Sequence, residues 1–419
     1  MANFTPQPSC ADAHEPNSLT VSQATQRITD RVSPITRSES RPLRESLDYV
    51  LDEDIISPIN VPPHNNSAMD GYAIHGADIS GDCFSLTQVG VAFAGQPFSG
   101  TINRGECIRI MTGAMMPDEC DTVIMQEHVE VSDSLITIHG QHRQGQNVRL
   151  AGEDLTKGDI VLNAGHKISP ADLGLIASLG IAELVVKQKL KVAFFSTGDE
   201  LRSLGEQLEP GQIYDSNRYT LHGMLSHLNV DIIDLGVVAD QKQALREALQ
   251  HASQQADVVL TTGGVSVGDA DYVKEMLEEL GQVDFWKIAM KPGRPLAFGT
   301  INDTLFFGLP GNPVSVMVTF YQFVQPALQN LSGEHAPLQQ LMQVNCISPI
   351  RKRAGRFEFQ RGILFQNEQG ITQVKTTGEQ GSGILRSMSI ANCFILLDEQ
   401  CDGIEPNTLV TVQPFSGLI

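Results

Sequence analysis

Residues 257–268 read Asp-Val-Val-Leu-Thr-Thr-Gly-Gly-Val-Ser-Val-Gly. A short apolar run of buried-strand character enters a glycine-rich loop, and a helical pattern follows near 271–280. The order strand, loop, helix is the opening of a parallel α/β unit. It recurs on both sides. Lys191–Ser196 (KVAFFS) runs into Thr197-Gly198-Asp199-Glu200, with helices expected near 216–228 and 241–254 and a strand at VDIIDLG between them. Downstream, TLFFGL (304–309) runs into Pro310-Gly311-Asn312-Pro313-Val314-Ser315, and a helix is expected from Pro313 to about Leu328. Alternation of this kind over 189–336 predicts a mostly parallel, doubly wound sheet.

Three of its loops then fall at the carboxyl ends of parallel strands, the edge where open α/β sheets bind ligands. Glycines let backbone approach a ligand, and N–H groups at a helix start favour an anion. A plain strand-to-helix turn explains any one of these loops; three at one edge argue for a site. Asp199, Glu200, Asp269 and Asp271 place carboxylates beside that anion site, which calls for a cation between them, and oxygen ligands beside phosphate suit Mg²⁺. Helix N-capping by Asp199 and Asp269 is the alternative. The basic counterpart is Lys287-Ile-Ala-Met-Lys291-Pro-Gly-Arg294-Pro295, three cations stiffened by Pro and Gly. A second basic run, Arg351 to Arg361, carries five cations against one acid; a solvated face or oxyanion binding both fit it.

Outward from this centre the chain changes character. After about 337 strand patterns return (QVNCIS, RFEFQRGILF, GITQVKTT, NCFILLD, TLVTVQPF), predicting a β-barrel or sandwich over 337–419. Residues 67–150 hold short β-like runs between Gly and Pro, and predict a small all-β module. Helical signals flank it. Leu43, Leu47, Val50 and Leu51 follow Pro42 at helical spacing, and Ser169-Pro170 caps a run that ends at Gly180. If the two helical runs pack together, the expected division is a disordered extension 1–20, a helical domain split into 21–56 and 154–188 around an inserted β-rich domain 57–153, an α/β domain 189–336 and a barrel 337–419.

The 419 residues carry 29 Lys and Arg against 49 Asp and Glu, a formal net charge of −20, which argues against a general nucleic-acid or anionic-membrane binder. The chain has no stretch of about 18 apolar residues, as a spanning helix needs. The polar opening MANFTPQPSC has neither a basic start nor an apolar core, so no secretory signal is expected there. Seven scattered cysteines without a CxxC pair fit reduced thiols in a cytoplasm.

Asn66-Ser-Ala-Met-Asp70-Gly-Tyr-Ala73, Thr112-Gly-Ala, Gly152-Glu-Asp154, Ser196-Thr-Gly-Asp-Glu200-Leu, Gly263-Gly-Val-Ser-Val-Gly268, Lys291-Pro-Gly-Arg-Pro295 and Leu309-Pro-Gly-Asn-Pro313-Val-Ser315 stand in series. That series closely resembles the MoeA family of molybdopterin molybdenumtransferases, relatives of the gephyrin E domain, over about residues 25–419. The resemblance implies an elongated, four-domain homodimer whose third domain is MogA-like. It implies a reaction in which adenylylated molybdopterin and molybdate give molybdenum cofactor and AMP. Implied cofactor-binding positions are Thr197, Gly198, Asp199, Gly263, Gly264, Ser266, Gly268, Pro310, Gly311, Asn312, Pro313 and Ser315. Catalytic positions implied are Asp70, Thr112, Asp154, Glu200, Asp240 and Asp271, with Asp154, Glu200 and Asp271 on Mg²⁺. For molybdate the resemblance implies Lys287, Lys291, Arg294, Pro295, Arg361 and Ser382. Where the family often has KPGKP this chain has KPGRP; Arg keeps the charge and alters the hydrogen-bond geometry. Transient partners implied are a molybdopterin adenylyltransferase and molybdoenzyme apoproteins. The TGDEL motif, the inserted module and the barrel argue against the sister adenylyltransferase activity itself, and the missing basic linker and fused domain argue against a receptor-clustering scaffold.

Overall fold

The computed structural model describes residues 18–263, 276–277, 279–335 and 340–415. It divides into two compact units, one of Ser40–Leu47 and Leu51–Val186, the other of Met1–Glu39, Asp48–Val50 and Lys187–Ile419.

The first unit is built on β1 (Gly71–Ile74), β2 (Cys83–Ala92), β3 (Glu106–Ile110), β4 (Thr122–Met125), β5 (Val129–Ser132) and β6 (Leu135–His139). They form one sheet in the order β4-β1-β3-β2-β6-β5, antiparallel except between β2 and β3. Period-two alternation sends Tyr72, Ile74 and Ile124 to one core and Ala73, Ile108 and Val123 to another, so both faces are covered. The helix Pro170–Ser178 forms where the capping signal puts it, with Ser169 as N-cap and Asp172 closing a capping box.

The helix expected from Ser40 does not form. Ser38–Pro42 is a strand, Leu43–Glu45 a single 3-10 turn, and Asp48 takes φ 65°. The cause is tertiary. Leu51 N–H, which a helix would pair internally, donates instead to His166 O at 3.0 Å, and Leu43 N–H is held by Ala182 O at 2.8 Å.

In the second unit, β7 (Leu190–Thr197), β8 (Val230–Val238), β9 (Val258–Thr262), β10 (Gly281–Lys287), β11 (Pro295–Ile301) and β12 (Thr304–Leu309) form the predicted sheet, in the order β8-β7-β9-β12-β11-β10. Its first four strands are parallel, and β11 is antiparallel to both of its neighbours, β12 and β10. Helices cover both faces. Val192, Phe194 and Leu260 pack with Leu221 and Leu225 of the helix Ser216–Ser226 and with Val316 and Phe320 of the run Pro313–Leu331. Ala193, Phe195 and Val259 pack with Leu245 and Leu249 of Lys242–Gln255. The helix expected near 271–280 lies largely outside the described residues.

Beyond 340, β13 (Met342–Cys346), β14 (Phe357–Gln366), β15 (Thr372–Thr376), β16 (Cys393–Leu397) and β17 (Thr408–Pro414) close into a five-stranded barrel, since β14 pairs with both β15 and β16. Met290–Lys291 adds a short parallel pairing to the start of β14. That pairing fixes the basic loop 291–295 beside the barrel. The N-terminal reading also needs correction at its edge. Leu19 N–H donates to Lys287 O at 2.9 Å, and Thr20 caps a helix Val21–Thr29, while residues 1–17 lie outside the described part.

Candidate active site

The strand ends β7, β9 and β12 meet as the sequence expects. Gly263 follows β9 with φ 85°, and a Cβ there would stand 2.3 Å from Thr197 O, so no side chain is tolerated. Its N–H donates to Leu309 O at 3.3 Å. Across the gap, a Cβ on Gly311 would lie 3.9 Å from Gly263 Cα. Thr197, Gly198, Gly263 and Gly311 therefore bring backbone close together at one edge, with Pro310, Asn312, Pro313 and Ser315 continuing the third loop into its helix. Gly264, Ser266, Gly268, Asp269 and Asp271 lie outside the described residues.

Two residues here escaped the sequence reading. Asn217 donates from Nδ2 to Gly311 O at 2.7 Å and so pins the loop. Asp215 caps the same helix, its Oδ1 accepting from Arg218 N–H at 3.1 Å. Among the described residues Asn217 Oδ1, Asp215 Oδ2 and Thr197 Oγ1 are buried without a hydrogen-bond partner. Buried polar atoms are normally satisfied, and unsatisfied ones at the edge where strand ends meet are what a polar ligand would complete. The only signal was Asp-Ser-Asn opening a helix, which reads equally as a cap.

Three carboxylates gather at this edge. Burial, then the charges of Asp199 and Glu200, push the Asp240 carboxyl above the usual range. Glu200 folds back, its carboxylate 2.7 Å from where a Gly198 Cβ would be. Arg202 donates to Asp199 O at 3.0 Å. No three acidic, His or Cys side chains among the described residues converge into a metal-ligand set. The charge crowding still favours a hard cation, since it would relieve the repulsion on Asp240.

The basic group sits on the same unit. Arg361 on β14 is 1% exposed; its Nε donates to Ser387 Oγ at 3.0 Å and its Nη2 to Gly381 O at 3.1 Å. Burial brings the guanidinium down to about 10, opposed by the Glu358 charge. Next to Gly381, Ser382 O accepts from Val314 N–H at 3.1 Å, in the first turn after Pro310–Pro313. The 291–295 loop reaches that helix too: at φ 94°, a Gly293 Cβ would come 2.6 Å from Thr319 Oγ1 and 3.5 Å from Ser315 O. Lys291 Nζ stands 3.7 Å from Glu358 Oε1, Arg294 O accepts from Ile288 N–H at 2.8 Å, and Lys287 faces Pro295 across β10 and β11. Lys291, Arg294, Arg361 and Ser382 thus share one neighbourhood with the Pro310–Ser315 loop.

Asp70, Thr112 and Asp154 belong to the other unit. There Asp70 Oδ1 accepts from both Thr112 N–H and Thr112 Oγ1, each at 2.7 Å. Those two bonds, with a smaller pull from Arg109, hold the exposed Asp70 carboxyl below the usual range. Asp154 is exposed, its N–H donating to Val61 O at 3.0 Å.

Residues 19–180 match the MoeA N-terminal region (domain I and II), 193–330 a probable molybdopterin binding domain, and 343–415 the MoeA C-terminal region (domain IV). A molybdopterin molybdenumtransferase of Haemophilus influenzae is 44% identical over 404 residues, covering 96% of this chain and 100% of that protein. The chain belongs to the MoeA family. A gephyrin of Dictyostelium discoideum is 33% identical over 447 residues, spanning 94% of this chain and 62% of that protein. The crystal structure of a MoeA protein from Pyrococcus horikoshii superposes with TM-score 0.83 at 29% identity, covering 95% of this chain and all of that one. Within the MoeA family, the strand-end edge and the basic group therefore lie in the parts matched by the molybdopterin-binding and domain IV regions.

Proposed function

We propose that this chain is a molybdopterin molybdenumtransferase, which takes adenylylated molybdopterin and molybdate and yields molybdenum cofactor and AMP. The observation that carries this reading is the tie between a buried cation and an anion-cradling loop. Arg361 is bound to Gly381, and the adjacent Ser382 receives the first-turn N–H of Val314, directly after Pro310–Pro313. Backbone at Gly263 and Gly311 suits the pterin phosphate, and Lys291, Arg294, Arg361 and Ser382 suit a tetrahedral dianion.

In the proposed reaction, water attacks one phosphorus of the anhydride, the P–O bond to the other phosphate breaks, and AMP leaves. Glu200 and Asp240 hold and deprotonate that water, a task suited to a carboxyl whose affinity for protons is raised. Glu200 and Asp271, with Asp154 or Asp199 as a further carboxylate, are proposed to hold Mg²⁺, which when bound would neutralise phosphate charge. Asp70, Thr112 and Asp154 are proposed to take part as catalytic residues. The reading extends to a homodimer working in the cytoplasm, with transient contact to an adenylyltransferase upstream and to apoenzymes downstream. Purified protein given adenylylated molybdopterin, Mg²⁺ and molybdate should form active cofactor, and Glu200→Gln should fold normally and release AMP at least about 10²-fold more slowly. Full AMP release by Glu200→Gln would remove the carboxylate from the reaction.

A further inference from the structure

A cavity of about 330 Å³ opens beside the barrel, lined by Lys291, Arg351, Lys352, Arg353, Arg356 and Glu358 together with the turn between them. Five cations face one carboxylate, in a chain whose net charge is −20. The one acid is already engaged: Glu358 Oε2 accepts from Gln360 Nε2 at 2.9 Å, and Oε1 stands 3.7 Å from Lys291 Nζ. Lys352 is 7% exposed, and its ammonium donates to the carbonyl oxygens of Cys401 at 2.9 Å and Arg353 at 3.3 Å. Such a buried charge contributes a positive field to the cavity it lines, screened less than it would be in water. Gly355, at φ 119°, turns the chain so that the residues on both sides of it line the same space. The turn is anchored at both ends, Gly355 N–H donating to Glu399 O and Phe357 N–H to Ala289 O.

We infer that this cavity is an anion site of its own, built for a dianionic tetrahedral group, either a free oxyanion or the phosphate of a monoester. Arg forks match such a group bidentately, and the volume exceeds what a bare tetrahedral ion fills, leaving room for an organic body. The inference stands on the cavity and its charge, and not on the reaction proposed above. Arg361 and Ser382 are not among its lining residues, so the two sites can be told apart by mutation. Lys291 borders both.

Isothermal titration of the full chain with glycerol 1-phosphate, inorganic phosphate and molybdate tests this. Wild type should show a saturable class of sites that the Arg351→Gln, Arg356→Gln double variant weakens at least tenfold, while Ser382→Ala leaves it intact. Weakening confined to glycerol 1-phosphate identifies a monoester site; equal weakening of all three probes identifies a site for the tetrahedral group alone. The double variant is accepted only with an unchanged melting curve; otherwise the single variant at the exposed Arg351 must shift binding in the same direction. Wild-type binding of all three probes by the folded variant would overturn the inference. So would loss of the same class in Ser382→Ala, which would make the cavity part of the inner site.

Discussion

Asp70 and Thr112 lie 42 residues apart, yet a single threonine supplies both hydrogen bonds to one carboxylate oxygen. The backbone N–H contributes most to holding that carboxyl low, and the hydroxyl second. Thr112→Val removes only the hydroxyl, so the Asp70 pKa should climb part of the way back toward about 3.9, read from its carboxyl resonance in an NMR titration. The sign for stability follows. A carboxyl lowered in the folded state stabilises above its unfolded pKa, and that support is lost as pH falls through the folded value, so it fades only below about pH 4. If the pair acts in the reaction, turnover should also fall at least about tenfold in Thr112→Val at neutral pH; unchanged turnover would leave the hydroxyl a structural role. At this scale much was legible. The glycines and cations announce themselves because close approach and anion binding need those residue types. Asp215 and Asn217 were not, because a buried atom without a partner exists only once Gly311 has been brought to Asn217 by the fold.

Among the elements, capping signals proved more informative than apolar spacing. Ser169, Pro170 and Asp172 specify a helix start whose hydrogen bonds are local, and the helix stands where they put it. Ser169→Ala should cost about 1 kcal/mol in chemical denaturation, because it orphans the N–H of Asp172. An unchanged midpoint would mean that packing alone holds that helix. Apolar spacing misled at 43–51, where the run has no cap and distant carbonyls take its N–H groups. The opposite error occurred at Val21–Thr29. Ala24, Ile28 and Val32 recur at four-residue spacing and are buried, and Thr20 with Gln23 forms a capping box, but the polar residues between them hide the pattern. Strands of the α/β sheet were legible because β7, β9 and β12 are buried on both faces and so read as continuous apolar runs.

On the larger unit, the carboxylates and the cations come from different elements. Asp199, Glu200 and Asp240 crowd the strand ends, and Lys291, Arg361 and the barrel loop supply positive charge. The proposed function makes phosphate cleavage beside the carboxylates and oxyanion capture by the cations one reaction. The most direct measurement is AMP release from adenylylated molybdopterin by the wild-type protein, followed with and without molybdate. Release should accelerate with molybdate, saturate, and be matched by the appearance of active cofactor. Arg361→Met should lose that acceleration. AMP release at the same rate with no oxyanion present, and no cofactor formed when molybdate is added, would contradict it.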